Sequence, residues 1–162
     1  MKMFKKLMAL ALTAVMAVSM LTGCALTDAA KKNALIKALN SDSVKSKYTY
    51  SSADYEGAAK DVWKNRLGKG EKVALKDGMM VVTSQYKGTN YICCVVETPE
   101  SAKKAVNWAA YAKSIDVQMG LFAKKTGEKN DQIKIDACFE SYKAESATKT
   151  TYYAIVIAKA AV

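Results

Sequence analysis

Thr150 to Ala160 reads Thr-Thr-Tyr-Tyr-Ala-Ile-Val-Ile-Ala-Lys-Ala, with Lys159 its single charge. A run this apolar is expected of a central strand covered by other layers. Ile155 and Ile157 should therefore be nearly buried, and the rest of the chain must supply the partners. Asp131 to Lys143 alternates. Ile133, Ile135, Ala137 and Phe139 share one face, and Lys134, Asp136, Cys138 and Glu140 the other, as in a half-buried strand. Met79–Tyr86 and Asn90–Glu97 form a further strand pair joined by Lys87-Gly88-Thr89, and Val73 and Leu75 alternate in a short strand over 72–76, turning at Asp77-Gly78.

Helices fill the intervals. Residues 25–40 give a short amphipathic helix, with Asp28 near its start and Leu35, Ile36 and Leu39 as a narrow apolar stripe. Residues 41–52 are polar and read as a linker or edge segment. Ala53–Leu67 is helical, with Ser52 or Asp54 as cap and Gly68 and Gly70 as terminators. Pro99 opens a second helix, from Glu100 to Ile115 and on to about Phe122, after a Thr98 cap. Lys124–Asn130 is a charged loop.

The expected class is α+β: an antiparallel sheet of about four to five strands packed by two or three helices. Glu56–Val62 and Glu100–Val106 share the order E-x-A-x-K-x-V, and each precedes a strand pair. This suggests a duplicated α-β-β unit, against which stands chance agreement of two Ala/Lys-rich stretches.

The first residues follow different rules. Lys2, Lys5 and Lys6 precede an apolar run from Leu7 to Leu21, which closes on Leu21-Thr22-Gly23-Cys24. The run is shorter than the roughly 20 residues that span a bilayer comfortably. In this order the basic flank, apolar run and lipobox resemble the signal of bacterial lipoproteins. The resemblance covers residues 1–24 only. It implies that 1–23 is removed and that Cys24 receives a diacylglyceryl group on sulfur as the new N-terminus. Ala25 stands where an Asp would signal inner-membrane retention. Residues 24–52 then hold the anchor, a short helix and a linker, and 53–162 a single domain. The expected location is the cell membrane, lipid-anchored and facing the extracytoplasmic side. Two acyl chains meet the two-signal condition for stable anchoring.

Composition removes several activities. The chain has 162 residues, a formal charge of +10 and no His. That excludes Ser-His-Asp hydrolases, Cys-His proteases and His-ligated zinc sites. Loss of the three leader lysines leaves +7. The excess is nearly all Lys, with Arg66 the only Arg, which argues against nucleic-acid recognition. A lysine-rich surface suits anionic lipid or acidic envelope polymers, or serves solubility alone.

Among single residues, Cys93 and Cys94 point to opposite faces of one strand, and one of them is a disulfide candidate with Cys138. The competing reading has all three thiols packed as small apolar groups. Trp63 and Trp108 are either an exposed glycan platform or, at helical spacing, core. Asp136 and Glu140 are too far apart on one strand for paired acid-base work, and Asp54, Glu56 and Asp61 read as helix-surface charge. Ser141 and Lys143 share a strand face but have no further partners. Gly68-Lys69-Gly70 lacks the rest of a phosphate loop. No catalytic set, cofactor site or metal site is expected.

These readings converge on a membrane-anchored envelope lipoprotein acting as a non-catalytic binding module. Its partners would be membrane lipid through Cys24 and an anionic polymer or another envelope protein. The alternatives are a small envelope enzyme using carboxylates or Cys, and an inhibitor or immunity-type lipoprotein projecting a loop at 121–130.

Overall fold

The first helix, α1 (Asp28–Leu39), starts where Thr27 accepts the Ala30 N–H at 3.2 Å, and Asp28 lies in its first turn. Both features satisfy the free donors and the positive end of a helix start. The computed structural model describes residues 27–71, 73–75, 78–98, 108–128 and 130–161. After α1 come β1 (Thr49–Ser52), α2 (Glu56–Asp61), β2 (Met79–Tyr86), β3 (Thr89–Thr98), α3 (Ala112–Phe122), β4 (Lys125–Thr126), β5 (Gln132–Tyr142) and β6 (Thr151–Lys159).

The fold is α+β. The sheet runs β1-β5-β6-β3-β2, with β4 also paired to β5. β6 is central, as its composition demands, and Ile155 and Ile157 are fully buried. Pairings β2–β3, β3–β6, β5–β6 and β4–β5 are antiparallel. β1 is the exception and lies parallel to β5, from Thr49 opposite Gln132 to Ser52 opposite Ile135. The sheet is therefore mixed and has six strands among the described residues, where a purely antiparallel sheet of four or five was expected. Lys87 and Gly88 form a two-residue turn between β2 and β3, both at positive φ, the geometry that suits a tight hairpin.

The two faces carry separate cores. On one, Leu35 and Leu39 of α1 and Ile115 and Met119 of α3 pack on Cys94, Val96, Ile133, Ile135 and Val156. On the other, Ala59, Val62, Trp63 and Leu67 cover Cys93, Val95, Cys138, Ile155 and Ile157.

Several expectations change here. Residues 27–52 belong to the domain: Leu35, Leu39 and Tyr50 are at most 2% exposed. The 53–67 helix starts at Glu56, after Tyr55 and without a side-chain cap, and continues from Val62 to Arg66 as a π-helical turn. It does end at the predicted glycines. Gly70 has φ +95°, and a Cβ there would stand 2.6 Å from Cβ of Tyr142. Described residues 73–75 form no strand, although Val73 and Leu75 pack on the core. Trp108–Ala110 is a separate 3-10 turn before α3, while Pro99 and the rest of 99–107 lie outside the described residues. In the 121–130 stretch no loop projects among the described residues. Leu121 and Phe122 finish α3, Ala123 bridges Ala160, and β4 follows.

The strand order β5-β6-β3-β2 has the symmetry a duplicated α-β-β unit would give, but the described helices do not follow it. β3 and β6 are antiparallel neighbours, so a rotation exchanging them turns about the sheet normal and keeps each helix on its own side. α2 and α3 lie on opposite sides. The second E-x-A-x-K-x-V segment falls within 99–107, outside the described residues.

The disulfide candidates are also kept apart. Cys138 shares its face with Cys93 and not Cys94, and β6 runs between β3 and β5. Two strand spacings amount to about 9.5 Å, beyond the roughly 7 Å between Cα atoms that a disulfide spans. All three thiols are free and buried.

Candidate functional site

β1 stops opposite Ile135, so the second half of β5 has no outer strand. The start of α1 reaches across this gap, and the Ala53–Glu56 segment closes it from the other side. Between them lies a recess of about 230 Å³, floored by Asp136, Cys138 and Glu140 of β5 and rimmed by Asp28, Lys32, Asp54, Glu56 and Lys60. Alternation along β5 supplies the floor, because residues two apart share a face.

Asp136 is 3% exposed and fully engaged. Its Oδ1 accepts from Lys32 Nζ at 2.9 Å and from the Ala137 N–H at 2.8 Å, and its Oδ2 accepts from the Tyr55 N–H at 2.6 Å. One carboxylate thereby ties α1 and the entry to α2 onto β5. Burial compensated by an ion pair and two backbone donors is the condition under which a carboxylate is stable inside a protein. Glu140 is only half-buried. Burial raises its pKa; Lys60 opposes the rise and Asp28 adds to it. At the rim, Glu56 pairs with Lys60 one helical turn on and holds the Lys60 pKa above its ordinary value.

Five carboxylates and two lysines thus meet in one recess of a chain whose overall charge is positive. The sequence reading kept Asp54 and Glu56 apart from Asp136 and Glu140; folding gathers them. Lys32 and Asp28 were missed as members. The available signal was an Asp in the interior of a strand, where that residue is disfavoured.

The arrangement restricts the chemistry. Asp136 is committed to three donors. Four residues of strand put its Cα about 13 Å from that of Glu140, whereas a two-carboxylate glycosidase holds its carboxyl groups about 5 to 9.5 Å apart. Burial pushes the Cys138 thiol up to about 12, with Glu140 and Asp136 adding to it, so the nucleophilic thiolate is absent at neutral pH. Cys94 is also pushed up to about 12 by burial, and Cys93 is raised by burial and by the other two thiols.

The remaining candidates are dispersed. Trp63 packs on Tyr153 with ring centroids 5.5 Å apart, and Trp108 on Phe139 at 6.1 Å, on opposite faces of the sheet. Both tryptophans are core and make no common platform. A second cavity of about 640 Å³ lies beside the π-helical turn, between Asp61, Arg66, Thr83 and Asn90; Arg66 donates to the Thr83 carbonyl at 3.3 Å. Leu21, Thr22, Gly23 and Cys24 lie outside the described residues. Among the described residues no helix is long and apolar enough to cross a membrane.

Comparison with protein-family models finds no match, and no curated protein or solved structure is detectably similar to this chain.

Proposed function

We propose that this chain is a lipid-anchored lipoprotein of the cell envelope, held through Cys24 on the extracytoplasmic side, whose domain works by binding and not by catalysis. The observation that carries the reading is the order of basic flank, apolar run and Leu21-Thr22-Gly23-Cys24. The domain geometry supports the second half. The thiols are buried and protonated at neutral pH, and Asp136 holds elements together. The mature charge of +7 favours an anionic envelope polymer or an acidic face of another envelope protein as partner.

A fatty-acid probe fed to producing cells tests the anchor. Label on the parent chain and none on Cys24→Ala is expected; label on both defeats it. Pull-downs with the full chain from envelope extracts test the binding. A partner should be retained at low salt and lost at high salt, since exposed charges are screened within about 8 Å at physiological ionic strength and about 3 Å at 1 M.

One observation favours a second reading, a small carboxylate enzyme: the raised Glu140 carboxyl sits in a recess with four other acids. Turnover of an envelope substrate that Glu140→Gln abolishes, with folding intact, would make that the better account.

A further inference from the structure

Among the described residues, the outward side of the α1/α3 layer is set apart by its exposed apolar side chains. Three large apolar side chains are exposed among the described residues: Val117 at 51%, Leu121 at 63% and Phe122 at 48%. All three belong to α3. Ile115 and Met119 face the core, and at 100° per residue Val117 stands directly opposite and Leu121 about 140° round, while Phe122, the last residue of the helix, lies at the edge of the layer about 100° from Leu121. Lys113 lies one turn before Val117, and Lys124 follows Phe122; both are exposed. On α1 the same reasoning puts Asn33 and Lys37 outward, opposite the Leu35 and Leu39 stripe. Neither helix aims a free carboxylate from the middle of this side. Asp116 of α3 is turned inward to accept from Ser46 Oγ and from the Tyr50 hydroxyl. Asp28, exposed at the start of α1, is paired with Lys31, and the exposed acids Asp42 and Glu128 stand in the flanking loops.

We infer that this α1/α3 side lies against an anionic phospholipid surface, with Val117 and Leu121 entering the interface, Phe122 at its edge, and Lys37, Lys113 and Lys124 meeting the headgroups. An apolar stripe flanked by lysines is the pattern of an interfacial helix. The other side also carries exposed cations, Lys60, Lys64, Arg66 and Lys69, but it mixes them with the exposed acids Asp54 and Glu56 and, among the described residues, exposes no large apolar side chain. The chain before the domain argues for the same occupant. Thr27 caps α1 three residues after Cys24, a reach of about 10 Å. α1 and α3 run in one direction: Lys31 and Trp108, at their starts, both meet Phe139, while Asn40 and Ala123, at their ends, meet Tyr50 and Ala160. A tether at the start of α1 therefore holds one end of the helix layer at the bilayer and lets the layer lie flat. The inference rests on the envelope reading for the tether alone; the surface itself is a property of the fold.

The test uses the full chain reconstituted in vesicles containing brominated phosphatidylglycerol or brominated phosphatidylcholine. In Leu121→Trp the new indole should be strongly quenched by the brominated anionic lipid, relative to the parent with its two buried tryptophans. In Lys64→Trp, on the outward side of the α2 layer, it should not. Adding Lys113→Glu and Lys124→Glu should remove most of the quenching, since each lysine near an anionic surface contributes about fivefold in partition. If the Leu121→Trp indole stays as open to aqueous iodide in vesicles as in detergent, the inference fails. If it is shielded from iodide in proportion to protein concentration and without lipid quenching, a second copy covers the surface, and the inference fails as well. The mass of the isolated chain separates the two proposals. Quenching without a lipid on Cys24 defeats only the tether, and a lipidated chain without quenching defeats only this surface.

Discussion

The two sides of the sheet are built to different plans. The α1/α3 side is covered by helices of 12 and 11 residues, whose core contacts are mostly aliphatic: Leu35, Leu39, Ile115 and Met119 over Ile133, Ile135 and Val156. The α2 side has a six-residue helix and a five-residue π-helical turn, and relies on bulk: Trp63 against Tyr153, and Tyr55 against Tyr91 at 5.4 Å. With so little helix on this side, and no outer strand beyond Ile135, part of β5 stays uncovered. The gap becomes the charged recess, closed by Asp136 and its three donors. Each side keeps one inward carboxylate and satisfies it in its own way: Asp116 accepts from the Ser46 and Tyr50 hydroxyls under α3, and Asp136 from the Lys32 ammonium and two backbone N–H groups at the recess.

The sharpest way to break this contrast is Asp136→Ala. Removing a buried carboxylate strands the Lys32 ammonium and two backbone donors. A loss of about 3 kcal/mol is expected, read as a drop in the urea midpoint with unchanged slope. A loss below about 1 kcal/mol would mean that the recess is not what fastens α2.

Gly70→Ala probes the dense part of the same side. The residue has φ +95°, and the new methyl would meet Tyr142 Cβ at 2.6 Å and Trp63 Cη2 at 2.8 Å. About 2 kcal/mol of destabilisation is expected from strain and overpacking. Gly88→Ala, with φ +75° but no atom within 4 Å, should cost less, and thermal unfolding of the pair separates conformation from clash.

Alkaline titration reaches both sides. The buried Cys138 and Cys94 thiols bind their protons up to about 12, against an ordinary value of 9.0 in the unfolded chain. Their pKa values are raised in the folded state, so stability is fully present below pH 9. It falls as pH rises toward 12, because the unfolded chain releases protons that the folded one keeps. Each such group contributes a slope of about 1.4 kcal/mol per pH unit in that window. Cys138→Ala should flatten the decline in urea midpoints measured from pH 8.5 to 11.

The smallest effect should come from Glu140→Gln. Its carboxyl is raised by burial, so ionisation at neutral pH works slightly against folding. With the group only half-buried, solvent reduces the gain from neutralising it to about 0.5 kcal/mol or less. A clear loss of stability instead would show that the Lys60 contact outweighs burial.

The sequence and the structure agree element by element where the evidence is periodic. The apolar run over 150–160 is the central strand, the alternation over 131–143 is β5, and Gly68 and Gly70 end a helix. They part where the evidence is not local. Tyr48 and Tyr50 alternate within a polar stretch, and nothing near them marks Tyr50 as core. That follows from parallel pairing with Ile133, far along the chain. The charges around Asp136 looked like surface because each sits in a polar neighbourhood of its own segment. Cys93 and Cys138 looked like partners because alternation tells which face a residue takes, not how many strands lie between.

By itself the sequence determined the α+β class, the burial of Ile155 and Ile157, and the lack of any histidine side chain. These depend on residue type and spacing, which act over a few residues. Only the tertiary structure decided that β6 separates the thiols, that α2 and α3 take opposite sides, that five carboxylates share one recess, and that Val117, Leu121 and Phe122 remain outside. Those outcomes depend on strand order and on how much helix is available to cover each side, and both are set by contacts between segments that are distant in the chain.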